Sequence, residues 1–271
     1  MSTSTEAPIE TPPAGGKVPL VELRDVGKSY GNIIALKGIN LRVGAGEVTG
    51  VLGDNGAGKS TLIKIIAGLH QPTEGQMLVD GEPTLFNSPK DALNKGIATV
   101  YQDLAVVSLM PVWRNFFLGQ ELRKGKVLKS LDANAMRATT KSELAKMGID
   151  LPDVDAAIGS LSGGQRQCVA IARAVFFGAR VLILDEPTAA LGVKQSGMVL
   201  RYISAAKEQG FGVIFITHNP HHAYMVGDHF VLLNRGRQKL DCRYDEIDLD
   251  KLTQEMAGGD ELEALTHELR R

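Results

Sequence analysis

Eight consecutive residues, Gly53-Asp54-Asn55-Gly56-Ala57-Gly58-Lys59-Ser60, fit the phosphate-loop pattern G-x-x-x-x-G-K-[ST]. The glycines let the backbone turn tightly and bring its N–H groups close to a phosphate chain. A helix beginning at Ser60 and running on through Thr61 points the positive end of its dipole at the same place. Lys59 would meet the β- and γ-phosphates as a point charge, and the Ser60 hydroxyl would ligate a bridging Mg²⁺. Farther along, the apolar run Val181-Leu182-Ile183-Leu184 ends in two carboxylates. Asp185 can hold Mg²⁺ through its water shell, and Glu186 can orient or deprotonate an attacking water. Leu161-Ser162-Gly163-Gly164-Gln165 puts a serine and two glycines at the start of another helix, a second anion site in one chain. His218 closes a third apolar run, where a side chain can sense a γ-phosphate. Taken singly, these are explicable as a glycine-rich turn or as a helix cap before Pro187. Together they describe a site for a nucleotide and its Mg²⁺.

The elements that must position these groups can be read from the flanking pattern. Glu47 to Leu52 reads as the strand that leads into the phosphate loop, and Thr61 to Ala67 as the helix that leaves it. Val181 to Leu184 and Gly212 to Thr217 are continuous apolar runs, the texture of parallel strands buried on both faces. Ile97 to Tyr101 is a further strand, delivering Gln102 at its end. Upstream, Pro19 to Val26 alternates like a strand, and Gly27 to Gly31 reads as the turn that closes it. That turn carries Tyr30, whose ring can stack on a purine or serve as a partly buried anchor. Gly38 to Val43, and Gly75 to Gly81 with its Asp80-Gly81 turn, complete an antiparallel β subdomain beside the nucleotide core. From Leu104 to about Gly159 the texture turns helical, as in Asp132 to Met147, where Ala133, Met136, Leu144 and Met147 can share faces. The apolar opening of this lobe, Leu104 to Trp113, suits either its own core or a groove for a partner helix.

Composition sets outer limits. With 271 residues, 44% hydrophobic and 23% charged, the chain is long enough for one large α/β domain or for one domain plus a small inserted lobe. A net charge of -1 gives no electrostatic case for nucleic acid as a partner. No run reaches the roughly 18 apolar residues of a membrane span, so a membrane role must come through another polypeptide. The Ser-, Thr-, Pro- and Gly-rich residues 1–19 read as a disordered tail without signal-peptide character. Cys168 and Cys242 stand far apart, in no metal-type spacing, as expected of two unpaired thiols.

The order of phosphate loop, Leu161-Ser162-Gly163-Gly164-Gln165 and Val181 to Glu186 resembles the ATP-binding cassette (ABC) ATPases from Val21 to about Gly259. The resemblance implies an α/β fold with a P-loop core on a parallel sheet, an antiparallel β subdomain and an α-helical subdomain at about 104–178. It also implies one ATPase domain over 20–259, followed by a helical tail over 260–271. Residue by residue, it implies that Tyr30 stacks on adenine and that Gln102 touches Mg²⁺, the water and the transporter interface. Ser162, Gly163, Gly164 and Gln165 would bind ATP held by a second copy, Glu186 would be the catalytic carboxylate, and His218 the switch histidine. One departure stands out: Ala190-Leu191 is followed by Gly192-Val193, where the family commonly has Asp. It bears on contacts between two copies and not on the hydrolytic residues.

The runs Asp185 to Val193, Thr217 to Pro220 with Val226 to Asp228, and Met256 to Gly259 resemble bacterial importers of ribose, xylose and fructose. This implies an ATP-hydrolysing subunit on the cytoplasmic face of the membrane. Its partners would be a second copy of itself, an integral permease and, indirectly, a sugar-binding protein. A cytosolic ABC ATPase without a permease is the alternative reading. The cluster His218, His221 and His222 lacks the surrounding Cys, Asp or Glu of a metal site.

Overall fold

The computed structural model describes residues 18–125 and 130–257. Nearly all of the expected N-terminal tail and all of the C-terminal tail therefore lie outside the described residues.

Alternating side chains build the first hairpin, β1 (Val21–Tyr30) and β2 (Ile33–Val43), followed by β3 (Val48–Leu52), buried along its whole length. The phosphate loop leads into α1 (Lys59–Ile66), and β4 (Glu74–Val79) and β5 (Glu82–Pro83) complete the antiparallel part. Asp80 and Gly81 both take positive φ, 53° and 79°, the geometry of a two-residue hairpin turn. Next come α2 (Pro89–Asn94) and β6 (Ile97–Val100), then α3 (Val112–Phe116), the small hairpin β7 (Arg123–Lys124) with β8 (Ser130–Leu131), and α4 (Ala133–Lys146). Helix α5 (Gly163–Phe176) leads back to β9 (Val181–Asp185), α6 (Val193–Glu208), β10 (Gly212–Thr217) and α7 (Pro220–Val226). The described chain ends with β11 (His229–Asn234), β12 (Arg237–Arg243) and α8 (Leu249–Met256).

Ten strands form one sheet in the order β5-β4-β1-β2-β12-β11-β3-β10-β9-β6. Strands β11, β3, β10, β9 and β6 run parallel. Their registers pair Leu52 with Thr217, Asp185 with Ile216, and Val100 with Leu184. The carboxyl ends of four strands thus share one edge, where ligands bind in open α/β sheets. One apolar cluster joins the β1, β2 and β4 face to α1, and the other joins the parallel strands to α3, α4, α5 and α6.

One sequence reading needs correction. The segment Gly27 to Tyr30, expected as a turn, continues β1 as far as Tyr30, with register shifts where it pairs with β2. Bulges of this kind absorb a glycine inside a strand, so Gly27 marks an irregularity and not an end. The stretch 104–113 is divided between the two roles weighed for it. Val112 and Trp113 are buried in the core, whereas Leu104, Ala105 and Val106 wall an open groove. No helix of the described residues is long and apolar enough to cross a membrane.

Candidate active site

At the mouth of β3 the phosphate loop is shaped by close approaches that only glycine permits. Gly53 has φ 150°, and a Cβ there would lie 2.5 Å from the carbonyl oxygen of Leu233. Gly58 caps α1 with no side-chain hydrogen bond. The first amide to find a carbonyl in the helix is that of Leu62, on Gly58. The N–H groups of Lys59, Ser60 and Thr61 therefore head the helix without intrahelical partners, as an anion site requires. Asp54, Asn55, Gly56 and Ser60 are exposed, and Ala57 is buried beneath them.

The Lys59 side chain is buried and folds back onto its own loop, donating to the carbonyls of Gly53 and of Asp54, the latter at 3.2 Å. Its Nζ is also 3.7 Å from Glu186 Oε1. The other carboxylate oxygen, Glu186 Oε2, lies 2.9 Å from His218 Nδ1 and accepts from Thr217 Oγ1 at 3.3 Å. Four residues, from the start of α1 and the ends of β9 and β10, thus converge, because the order β3-β10-β9 sets these ends side by side. Asp185, at the tip of β9, is half-buried; burial first, and then the negative charge of Glu186, push its carboxyl above the usual carboxylate range. A carboxylate held in that state beside a second one favours a cation next to it. Among the described residues no three of His, Cys, Asp and Glu come together as a metal cage. Ser60 and Asp185 are hard oxygen donors of the kind that would suit Mg²⁺, with room left for phosphate and water oxygens. Gln102 is exposed on the loop after β6 and takes no part in the hydrogen bonds around Glu186.

Tyr30, at the end of β1, is 43% exposed. His70 packs edge-on against it at 5.6 Å, and Lys28 Nζ lies 5.2 Å from its centroid. Ser162 caps α5: its Oγ accepts from the amide of Gln165 at 3.3 Å, and Gln165 Oε1 accepts from the amide of Ser162 at 2.9 Å. The Gln165 side chain is thus engaged inside the cap, while the Ser162 hydroxyl proton is left free to donate. A Cβ on Gly163 would lie 2.7 Å from Leu191 Cδ2, and one on Gly164 3.1 Å from Gln195 Cβ. Both glycines therefore also seat the start of α6. Among the described residues no hydrogen bond joins this cap to the phosphate loop.

A family model described as ABC transporter matches residues 36–189, more than half of the chain. The chain belongs to the ABC transporter family. Among its relatives, the xylose/arabinose import ATP-binding protein of Sulfolobus acidocaldarius is 44% identical over 237 residues, covering 88% of this chain and 93% of the relative. The fructose import ATP-binding protein of Rhizobium meliloti is 42% identical over 225 residues, 81% of this chain and 86% of that protein. Among solved structures, the dimeric structure of MJ0796, a bacterial ABC transporter cassette, superposes with a TM-score of 0.67 at 27% identity, covering 83% of this chain and 98% of that one.

The family's ABC ATPase fold, with its parallel core, antiparallel subdomain and helices, is the one described above. Two residues at the site of this ABC ATPase, Thr188 and His222, were not singled out as functional from sequence. Asn219-Pro220 is a helix-start signal, Asn capping and Pro at the first position, and it places His222 one turn in, facing back toward the strand ends.

Proposed function

We propose that this chain binds and hydrolyses ATP as the energy-supplying subunit of a monosaccharide importer. The observation that carries the reading is the convergence of Lys59, Glu186, Thr217 and His218 at the phosphate loop. In the proposed mechanism, Lys59 swings from the carbonyls of Gly53 and Asp54 to the β- and γ-phosphates, exchanging weak partners for charged ones. Glu186, freed of Lys59, accepts the proton of the attacking water, and His218 orients the carboxylate through its Nδ1 while reaching toward the γ-phosphate. Ser60, Asp185 and Gln102 would hold Mg²⁺, whose charge would offset that of the phosphates. Tyr30, partly exposed, would stack on adenine. The free Ser162 hydroxyl proton and the amides heading α5 suit a γ-phosphate, which in this reading belongs to ATP on a second copy arranged head to tail.

Coupling to a membrane permease rests on the groove of about 300 Å³ between β6, the loop 103–106 and α5, walled by Leu93, Val100, Leu104, Val106, Arg173 and Phe177. Val107 and Leu109 stand exposed beyond it, Leu109 at 92%. A permease helix laid into this groove would feel the movement of Gln102, three residues before Ala105, and would hold the subunit at the cytoplasmic face of the membrane. Selection of the sugar would reside in the permease and in a separate sugar-binding protein. The relatives named for xylose/arabinose and fructose import support a monosaccharide as cargo.

The test is uptake of labelled xylose, arabinose, fructose and ribose by host cells lacking the chain. The wild-type protein should restore uptake of at least one sugar, and Glu186→Gln should restore none. Unchanged uptake of all four on deletion would refute a role in importing them.

A further inference from the structure

We propose that His222 is a positioning residue for hydrolysis, which holds the turn after β9 and, through it, the carboxylate of Glu186. This rests on the reading of Glu186 as the hydrolytic carboxylate. The turn is conformationally costly. Glu186 and Ala190, neither of them glycine, both sit in the left-handed region at φ 46° and 58°. Such residues persist when their surroundings fix them, and they cluster where side-chain aim matters.

Three backbone bonds contribute: the amide of Glu186 to Ile216 O at 2.9 Å, that of Ala189 to Glu186 O at 3.0 Å, and that of Leu191 to Thr188 O at 3.4 Å. The side-chain brace comes from α7. Thr188 is 5% exposed, and its Oγ1 lies 2.9 Å from His222 Nδ1. The His222 amide donates to Asn219 Oδ1 at 3.1 Å, and the Asn219 amide to Thr217 Oγ1 at 3.0 Å. Thr217 Oγ1 in turn donates to Glu186 Oε2 at 3.3 Å. The chain of contacts that leaves Glu186 along the backbone to Thr188 thus returns to its carboxylate through His222, Asn219 and Thr217. Burial, and then the neighbouring His221 and His218, hold the His222 ring below the usual histidine range. A neutral ring can accept the Thr188 hydroxyl proton at Nδ1. Severing the brace would let the turn relax from its left-handed residues and move the carboxylate off the line of attack, without touching the groups that bind nucleotide.

The experiment compares Thr188→Val with Thr188→Ser, and His222→Leu with His222→Asn, whose amide places a polar atom near the position of Nδ1. Steady-state MgATP hydrolysis and binding of a fluorescent ATP analogue are measured on the purified chain, with thermal melts alongside. Thr188→Val and His222→Leu should each lower kcat about tenfold while KM and nucleotide affinity stay within about twofold. Thr188→Ser and His222→Asn should restore most of the rate. The Thr188→Val/His222→Leu double variant should lose no more than either single one, because both remove the same link. Wild-type kcat in Thr188→Val, failure of both conservative variants to rescue, or losses that multiply in the double variant would each overturn the proposal. If His222→Leu does not fold, the threonine pair decides by itself. Glu186→Gln is run in parallel: its retaining hydrolysis would defeat the underlying reading, whereas an inactive Glu186→Gln beside a fully active Thr188→Val would defeat only the role of His222.

Discussion

Lys59 and Asp185 carry opposite kinds of unfinished electrostatics. Lys59 is buried and held by carbonyl oxygens, with the Glu186 carboxylate nearby. Lys59→Ala leaves these acceptors to water and removes the charge meant for the phosphates. Calorimetry should show ATP affinity falling by about 10–100-fold, the range for loss of charged hydrogen bonds, with the fold retained. Asp185 is raised by burial and by Glu186, so between its ordinary value of 3.8 and its folded value the native state binds more protons than the unfolded chain. Stability contributed by this residue therefore falls as pH rises through that window. Asp185→Asn should raise the melting temperature of the nucleotide-free protein at neutral pH by about 2–4 °C, with the gain vanishing in acid, while abolishing Mg²⁺-dependent turnover. A melt difference that grew as pH fell would contradict the assignment.

Elements explain how much could be read in advance. The strands that end at Leu52, Asp185 and Thr217 are continuous apolar runs beside motif residues, so sequence located them almost to the residue. The start of α5 was also legible from its serine and two glycines, whereas the capping box between Ser162 and Gln165 emerged from the structure. What escaped depends on distant contacts. Gly27 gave no sign that β1 runs through it, since pairing with β2 and β4 and not local preference decides that. Nor did sequence show that Thr188 would meet His222, 34 residues away. Asn115 is a further case. Buried, it accepts from the amide of Val107 at 2.8 Å and donates toward the carbonyls of Val107, Met110 and Pro111, thereby shaping the loop beside the groove. Asn115→Ala should destabilise the protein by about 1–3 kcal/mol in denaturant titrations, because it leaves loop groups unpaired. Ala105→Glu, by contrast, adds charge at an exposed point of the groove wall. It should leave stability within about 0.5 kcal/mol while abolishing co-purification with the permease. Unfolding of the isolated chain by this change would mean that the groove is internal core.

At the scale of the molecule, the two anion sites of one chain are separate, and no hydrogen bond among the described residues connects them. In the proposed head-to-tail pair each phosphate loop would meet the other copy's Ser162 cap, so that ATP would become part of the interface and favour association. A Cβ at Gly192 would meet nothing within 4 Å, and its φ is -69°, so the subunit's own fold does not demand glycine there. Val193 beside it is 93% exposed. Glu186 is, in the proposed mechanism, the group that converts bound ATP into product. The measurement that tests it most directly is hydrolysis and molecular mass of Glu186→Gln at saturating MgATP, by phosphate release and light scattering on the same sample. Hydrolysis should fall by at least about 100-fold, the lower end of what a general base contributes, while ATP remains bound and the mass doubles. Turnover at the wild-type rate, or loss of ATP binding together with hydrolysis, would contradict it.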